Sequence, residues 1–245
     1  MKAPASVVIG LVAALAASGC QSGPDQSAAG TAAPSRPAAG ETTSTVEGSF
    51  TADRFQVPLP PGRWQVAYSQ EEKLDAGRAW RHVLVKVHGS VVYQAVLIYR
   101  SELDGGQRYR PREACRYEGY FYSAETEIGR GAGDCRQVRA VSFGLAGPPN
   151  PVSLVFQALR DKYQYFAPAA MLGSRHIRFA GPDQLQVDYL WTPELLLPQQ
   201  AGGVWRAQDW SNEAVRQDGR KLAIMKNLQR WSDDWHPRVV SAFPI

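Results

Sequence analysis

His82-Val83-Leu84-Val85-Lys86-Val87-His88-Gly89-Ser90-Val91-Val92-Tyr93-Gln94-Ala95-Val96-Leu97-Ile98-Tyr99 is the stretch that decides the fold. Val83, Val85 and Val87 alternate with His82, Leu84 and Lys86, the two-residue period of a strand whose faces meet different surroundings. His88-Gly89-Ser90 supplies a turn, and a second run rich in β-branched residues follows at once. The segment therefore predicts an antiparallel hairpin.

Similar signals spread outward from it. Phe55-Gln56-Val57-Pro58-Leu59 opens the folded part, and Pro60-Pro61-Gly62 turns the chain into Arg63-Trp64-Gln65-Val66-Ala67-Tyr68, which reads as another strand. Downstream, strands are expected at Arg116 to Tyr122 and Arg136 to Phe143. The glycine-rich run Gly129 to Asp134 between them lacks the Lys-Ser/Thr ending of a phosphate loop and occurs once rather than as a calcium-binding repeat, so it reads as a plain mobile loop. Asn150 and Pro151 can start a helix carrying Val152, Val155, Phe156, Leu159, Tyr163 and Phe166. Ile177 to Phe179 and Leu185 to Trp191 form a further hairpin pair around Gly181-Pro182-Asp183. A last helix, capped at Asp209 or Ser211 and stopped by Pro237, gathers Val215, Leu222, Met225, Leu228, Trp231 and Trp235 on one face. Strands first and a closing helix predict an α+β domain: a mainly antiparallel sheet with a C-terminal amphipathic helix packed on it.

The amino terminus is of a different kind. Lys2 precedes the apolar run Val7 to Ala17, which is too short to span a bilayer as a stable helix and reads as a signal peptide over residues 1–19. Small residues then lead into a cysteine. Ala17-Ser18-Gly19-Cys20, with Ala17 where Leu is common, resembles the lipobox of bacterial lipoproteins. The resemblance implies cleavage before Cys20, lipid on its thiol and a membrane tether. Gln21 stands where Asp would resemble an inner-membrane retention signal, which implies outer-membrane delivery.

Residues 21–45 hold no aromatic or large aliphatic side chain, so they cannot bury enough surface to offset their conformational entropy. Together with Cys20 they are expected to form a disordered linker, and residues 46–245 a single globular domain. Once Cys20 carries lipid, Cys115 and Cys135 are the thiols that remain, in a compartment where disulfides persist. A pair between them is expected, with two buried free cysteines as the alternative.

The chain carries 27 Lys and Arg against 23 Asp and Glu, and Lys2 leaves with the signal. That balance is far from the concentrated positive charge of a nucleic-acid binder. Two cysteines with His82, His88, His176 and His236 scattered lack zinc-ligand spacing, so no metal and no cofactor are expected.

Candidate chemistry is sparse. Ser174-Arg175-His176 is read as a turn on which hydroxyl and imidazole do not face each other, and Asp233-Asp234 and Glu71-Glu72 as a solvated helix end and a solvated loop. No catalytic residue is assigned. Tyr99-Arg100 and then Arg108, Tyr109, Arg110, Arg112, Arg116 and Tyr117 mix guanidinium groups with flat rings, a combination that suits phosphates, carboxylates and sugars. Trp191, Trp205 and Trp210 are expected to pack on the last helix. The expectation is a non-enzymatic envelope lipoprotein contacting another envelope protein or an anionic glycan through Arg108 to Tyr117. The competing class is an envelope hydrolase whose site is assembled from distant residues.

Overall fold

The hairpin expected around Gly89 forms: β5 runs Gly77–His88 and β6 runs Val91–Leu103, paired antiparallel with a register shift at Lys86/Val87. They lie near the middle of an eight-stranded sheet in a computed structural model that describes residues 44–109, 115, 119–129, 131–142, 151–198 and 203–243, with the side chains of 151–154 left aside. β4 (Trp64–Leu74) flanks β5, and β1 (Thr45–Val46) adds outside β4. On the other side β6 pairs with β10 (Asp183–Trp191), followed by β9 (Ala170–Ala180), β8 (Ala132–Ser142) and β7 (Tyr122–Gly129). The order is β1-β4-β5-β6-β10-β9-β8-β7, antiparallel at every step. A separate hairpin joins β2 (Ser49–Ala52) to β3 (Phe55–Pro58).

The two-residue period sorts the strands' side chains onto two faces. One face presents Leu84, Val96, Ile98, Leu185, Val187 and Tyr189 to Phe55 and Val57 of β3 and to Trp235, Val239 and Phe243 of the long helix α4 (Gly219–Ala242). The opposite face presents Val83, Val85, Ala95 and Leu190 to Val155, Phe156 and Leu159 of α1 (Pro151–Tyr163). Each fully buried aliphatic or aromatic side chain stabilises this arrangement by about 1.5–3 kcal/mol. The result is the expected mainly antiparallel sheet with a C-terminal helix packed on it, and the described residues all belong to one compact unit.

Several local expectations change. The closing helix is broken in two: α3 (Asn212–Gln217) is capped by Ser211, and α4 starts again behind Asp218, whose carboxylate accepts from the Arg220 amide. Pro237 lies inside α4 rather than ending it. A helical proline costs about 3 kcal/mol, but the turns beyond it bury Val239 and Phe243, the latter stacked on Phe55 at 4.7 Å. The expected mobile loop at Gly129 to Asp134 is instead largely strand, with Gly129 paired to Ala132 and residue 130 outside the described residues. Gly129 and Gly131 adopt positive φ there, and Ala132, Gly133 and Asp134 already belong to β8. A side chain at Gly133 would meet the Phe179 ring at 2.7 Å, so its glycine serves packing. The strand expected at Arg116 to Tyr122 begins only at Tyr122, with 116–118 outside the described residues. The helix α1 ends at Tyr163, followed by Gln164 at positive φ, which leaves Phe166 outside it and exposed. Among the described residues no helix is long and apolar enough to cross a membrane.

Candidate functional site

The residues singled out in the sequence meet different surroundings. Cys115 and Cys135 are bonded, with Cα atoms 5.9 Å apart. The bridge ties residue 115 to β8, where Cys135, near the start of the strand, packs with Ile177 and Phe179. Cys20, Arg110, Arg112, Arg116 and Tyr117 lie outside the described residues. Arg108 is exposed and Tyr109 half-buried. Tyr109 is fixed from three sides: its hydroxyl shares a 2.6 Å hydrogen bond with Ser101, its amide donates to Gly181 O at 3.0 Å, and its ring packs on the disulfide cluster. Burial pushes the Tyr109 phenol up. Arg100, by contrast, is no part of an exposed surface. It is wholly buried, stacked over Trp80 at 4.1 Å and bonded to Glu102 and Asp183 at 2.8 and 2.9 Å.

The polar residues that the fold brings together lie elsewhere, between α4 and the sheet. Ser174, His176 and Arg178 alternate along β9, so all three point to the same face. In register beside Arg178 stands Asp134 of β8. Ser232 and His236, four residues apart on α4, complete a continuous line. Ser232 Oγ is 2.7 Å from Ser174 Oγ, and Ser174 Oγ is 2.8 Å from His176 Nε2. His176 Nδ1 is 3.1 Å from His236 Nδ1, and His236 Nε2 is 2.7 Å from Asp134 Oδ1. Arg178 closes the end, donating to Asp134 at 3.4 Å and to Phe243 O at 2.8 Å. Ser174 and His176 thus sit on a strand facing one another's partner atoms, not on a turn facing apart.

Burial first, and the neighbouring His236 second, push the His176 imidazole down to about 3, so it is uncharged at neutral pH. Ser174 donates its hydroxyl to Ser232 Oγ, and the ring nitrogens of His176 and His236 carry the line on to the Asp134 carboxylate.

Hydroxyl, imidazole and carboxylate are the parts of an activated nucleophile. Here, however, Ser174, His176 and Ser232 have no exposed surface at all, so a substrate atom cannot reach the hydroxyl. A second pair lies nearer the surface, where exposed Ser69 of β4 stands opposite His82 of β5 at 2.6 Å. Burial pushes the His82 imidazole down to about 4, and its Nε2 has no partner among the described residues. It therefore lacks both the basicity and the orienting group that an acyl-transfer base needs. Among the described residues no group of three His, Cys, Asp or Glu side chains is arranged to hold a metal ion.

The carboxylates read as solvated are partly engaged. Asp233 lies in mid-helix rather than at a helix end, accepting from Arg136 Nε at 2.5 Å and from the Tyr122 hydroxyl at 3.0 Å. Glu71 and Glu72 belong to β4 rather than a loop, and Glu72 pairs with Arg81 at 2.9 Å. On the face opposite α4, Asp188 is buried against Arg175, which grips both its oxygens at 2.6 and 2.9 Å. Burial raises the Asp188 carboxyl, and Arg175, Arg139 and Gln186 outweigh that, for a net downward shift. Trp210 is buried and Trp191 and Trp205 are half-buried. Trp191 meets Trp231 of α4 edge-on at 4.7 Å, and Trp205 meets Trp210 at 5.4 Å.

The line under α4 left one legible trace: Ser232 and His236 interrupt the apolar stripe of the last helix at a spacing of one turn. No protein-family model matches the chain, and neither a curated protein nor a solved structure matches it.

Proposed function

We propose that this chain is a cell-envelope lipoprotein, tethered by lipid on Cys20 and delivered to the outer membrane, whose domain holds another envelope component rather than turning over a substrate. The occupant is an envelope protein or an anionic glycan, met through the basic and aromatic stretch from Arg108 to Tyr117. The observation that carries this reading is the anchoring of Tyr109 to Ser101, Gly181 and the disulfide cluster. At the start of that stretch Tyr109 is thus a fixed base, with Arg108 exposed beside it. Fixing the base of a recognition segment lowers the ordering cost of binding. The hydrolase alternative is disfavoured because one hydroxyl–imidazole pair is sealed and the other has a weakened, unoriented base.

Two measurements test it. Intact-mass analysis of the processed protein should find an acylated Cys20 as first residue; any other start overturns the anchor. A photo-crosslinking side chain at position 108, in the full chain in intact cells, should yield a discrete adduct that Arg110→Glu with Arg112→Glu abolishes. Recovering no adduct, or one indifferent to those charges, overturns the contact surface.

A further inference from the structure

The exposed large apolar side chains are unevenly placed. Val91, Phe166, Leu195, Leu196 and Val204 are 40 to 62% exposed, and all five lie at one end of the sheet. Val91 starts β6 and bridges to Phe166, whose backbone bonds Ser90 and Val92. Thr192, at the end of β10, donates to Tyr93 O, two residues along from Val91. It leads into the short helix α2 (Pro193–Leu196), which carries the two leucines. Trp205, next to Val204, is held to that helix by its amide on Glu194 and its indole on Leu197 O. The sixth large apolar side chain exposed among the described residues, Ile128, belongs to β7 near the opposite end.

Two further observations say what covers this end. The first is where the amino-terminal segment joins. β1 pairs with the first residues of β4, Thr45 with Gln65 and Val46 with Trp64, and that start of β4 lies at the end bearing the apolar tips. The second is its rim. Arg160 and Lys162 occupy the last turn of α1 just before Phe166, partly offset by Asp161; Lys162 lies over the half-buried ring of Tyr163, which stacks on Tyr165, and half-buried Trp205 stands beside Val204. Apolar tips ringed by amphipathic aromatics and cations are the composition that suits the headgroup boundary of a bilayer.

We infer that this end of the sheet rests on an anionic bilayer surface, with Leu195, Leu196, Val204 and Phe166 entering the headgroup boundary. The inference rests on the lipid-anchor reading, since the tether is what brings that surface near. It also gives the domain an orientation. β6 has 13 residues, and at about 3.3 Å each they span about 40 Å. Arg108 and Tyr109 lie at the far end of it, so the proposed contact stretch is held about that distance from the membrane.

The test uses the mature-length chain from residue 20 with Cys20→Ser, which carries no lipid, so that acylation does not enter the result. Vesicles of phosphatidylethanolamine with phosphatidylglycerol should carry the chain up a density gradient, and more of it at low salt. Leu195→Ser with Leu196→Ser and Val204→Ser should weaken this by about tenfold or more, with an unchanged circular dichroism spectrum and melting temperature. No flotation of the unlipidated chain, or flotation unaffected by the three substitutions, overturns bilayer contact and leaves the acylation result at Cys20 standing by itself. Concentration-dependent dimerisation that the substitutions abolish, without flotation, overturns it in favour of a second copy of the chain.

Discussion

Replacing His176 should change how the stability of this domain depends on pH, more than it changes any surface property. His176 sits at about 3 and His82 at about 4 in the folded chain, against 6.5 for a free imidazole. Both folded values lie below the unfolded one, so between them the unfolded chain holds more protons and stability rises with pH. The stabilisation is complete above about pH 6.5 and is lost as pH falls toward 3. Integrating one proton at about 1.36 kcal/mol per pH unit, each of the two imidazoles accounts for a loss of roughly 2 kcal/mol or more between pH 6 and pH 4. His176→Gln keeps a hydrogen-bonding group beside Ser174 but removes the titration. Urea unfolding across that range should therefore show a slope against pH shallower by about one proton in the variant. A slope equal to that of the parent chain would refute the argument that an uncharged, desolvated imidazole lies under α4.

Two other perturbations act on the frame that holds the sites. Cys115→Ala with Cys135→Ala opens a loop whose ends are 20 residues apart, and should lower stability by about 3 kcal/mol by the chain-entropy model; in the parent chain, alkylation after unfolding without reductant should label neither thiol. Gly77→Ala places a Cβ 1.9 Å from Glu102 O in a residue at φ +148°, so it should cost about 3 kcal/mol or more, read as a fall in melting temperature; an unchanged melt would mean that β5 and β6 do not approach so closely at Gly77.

Elements with a sharp hydrophobic alternation and a glycine turn were legible from residues alone. The β5–β6 and β9–β10 hairpins are of that kind, because one buried face forces the two-residue period into the sequence. β7 was misplaced for the converse reason: as an edge strand it is mostly exposed, and Ser123, Glu125 and Glu127 carry no trace of a core. The division between α3 and α4 turns on the cap at Asp218, which the continuous apolar stripe conceals. Pro237 was read by its local cost, while Val239 and Phe243 outweigh that cost through burial. The Ser174, His176, His236 and Asp134 line was invisible as a unit because its last link joins residues 102 apart. Its halves were present as a strand with alternate polar residues and a helix with polar breaks in its stripe. Of the proposed contact surface, the spacing of Arg108 and Tyr109 was legible, but not that Tyr109 is pinned to Ser101.

The central seam of the sheet governs how such a chain can assemble. β4, β5 and β6 are neighbours in sequence and can zip up as they emerge, and so can β7 through β10. The seam between the two groups joins Arg100 to Asp183, a separation of 83 residues. Until β10 arrives, the long inner edge of β6 is an open hydrogen-bonding template, the kind of edge that recruits other chains. Export across a membrane, which the proposed lipid anchor on Cys20 would require, would expose the chain to that hazard on every passage. Its yield there should depend on whatever shields a half-made sheet, more than on the stability of the finished one.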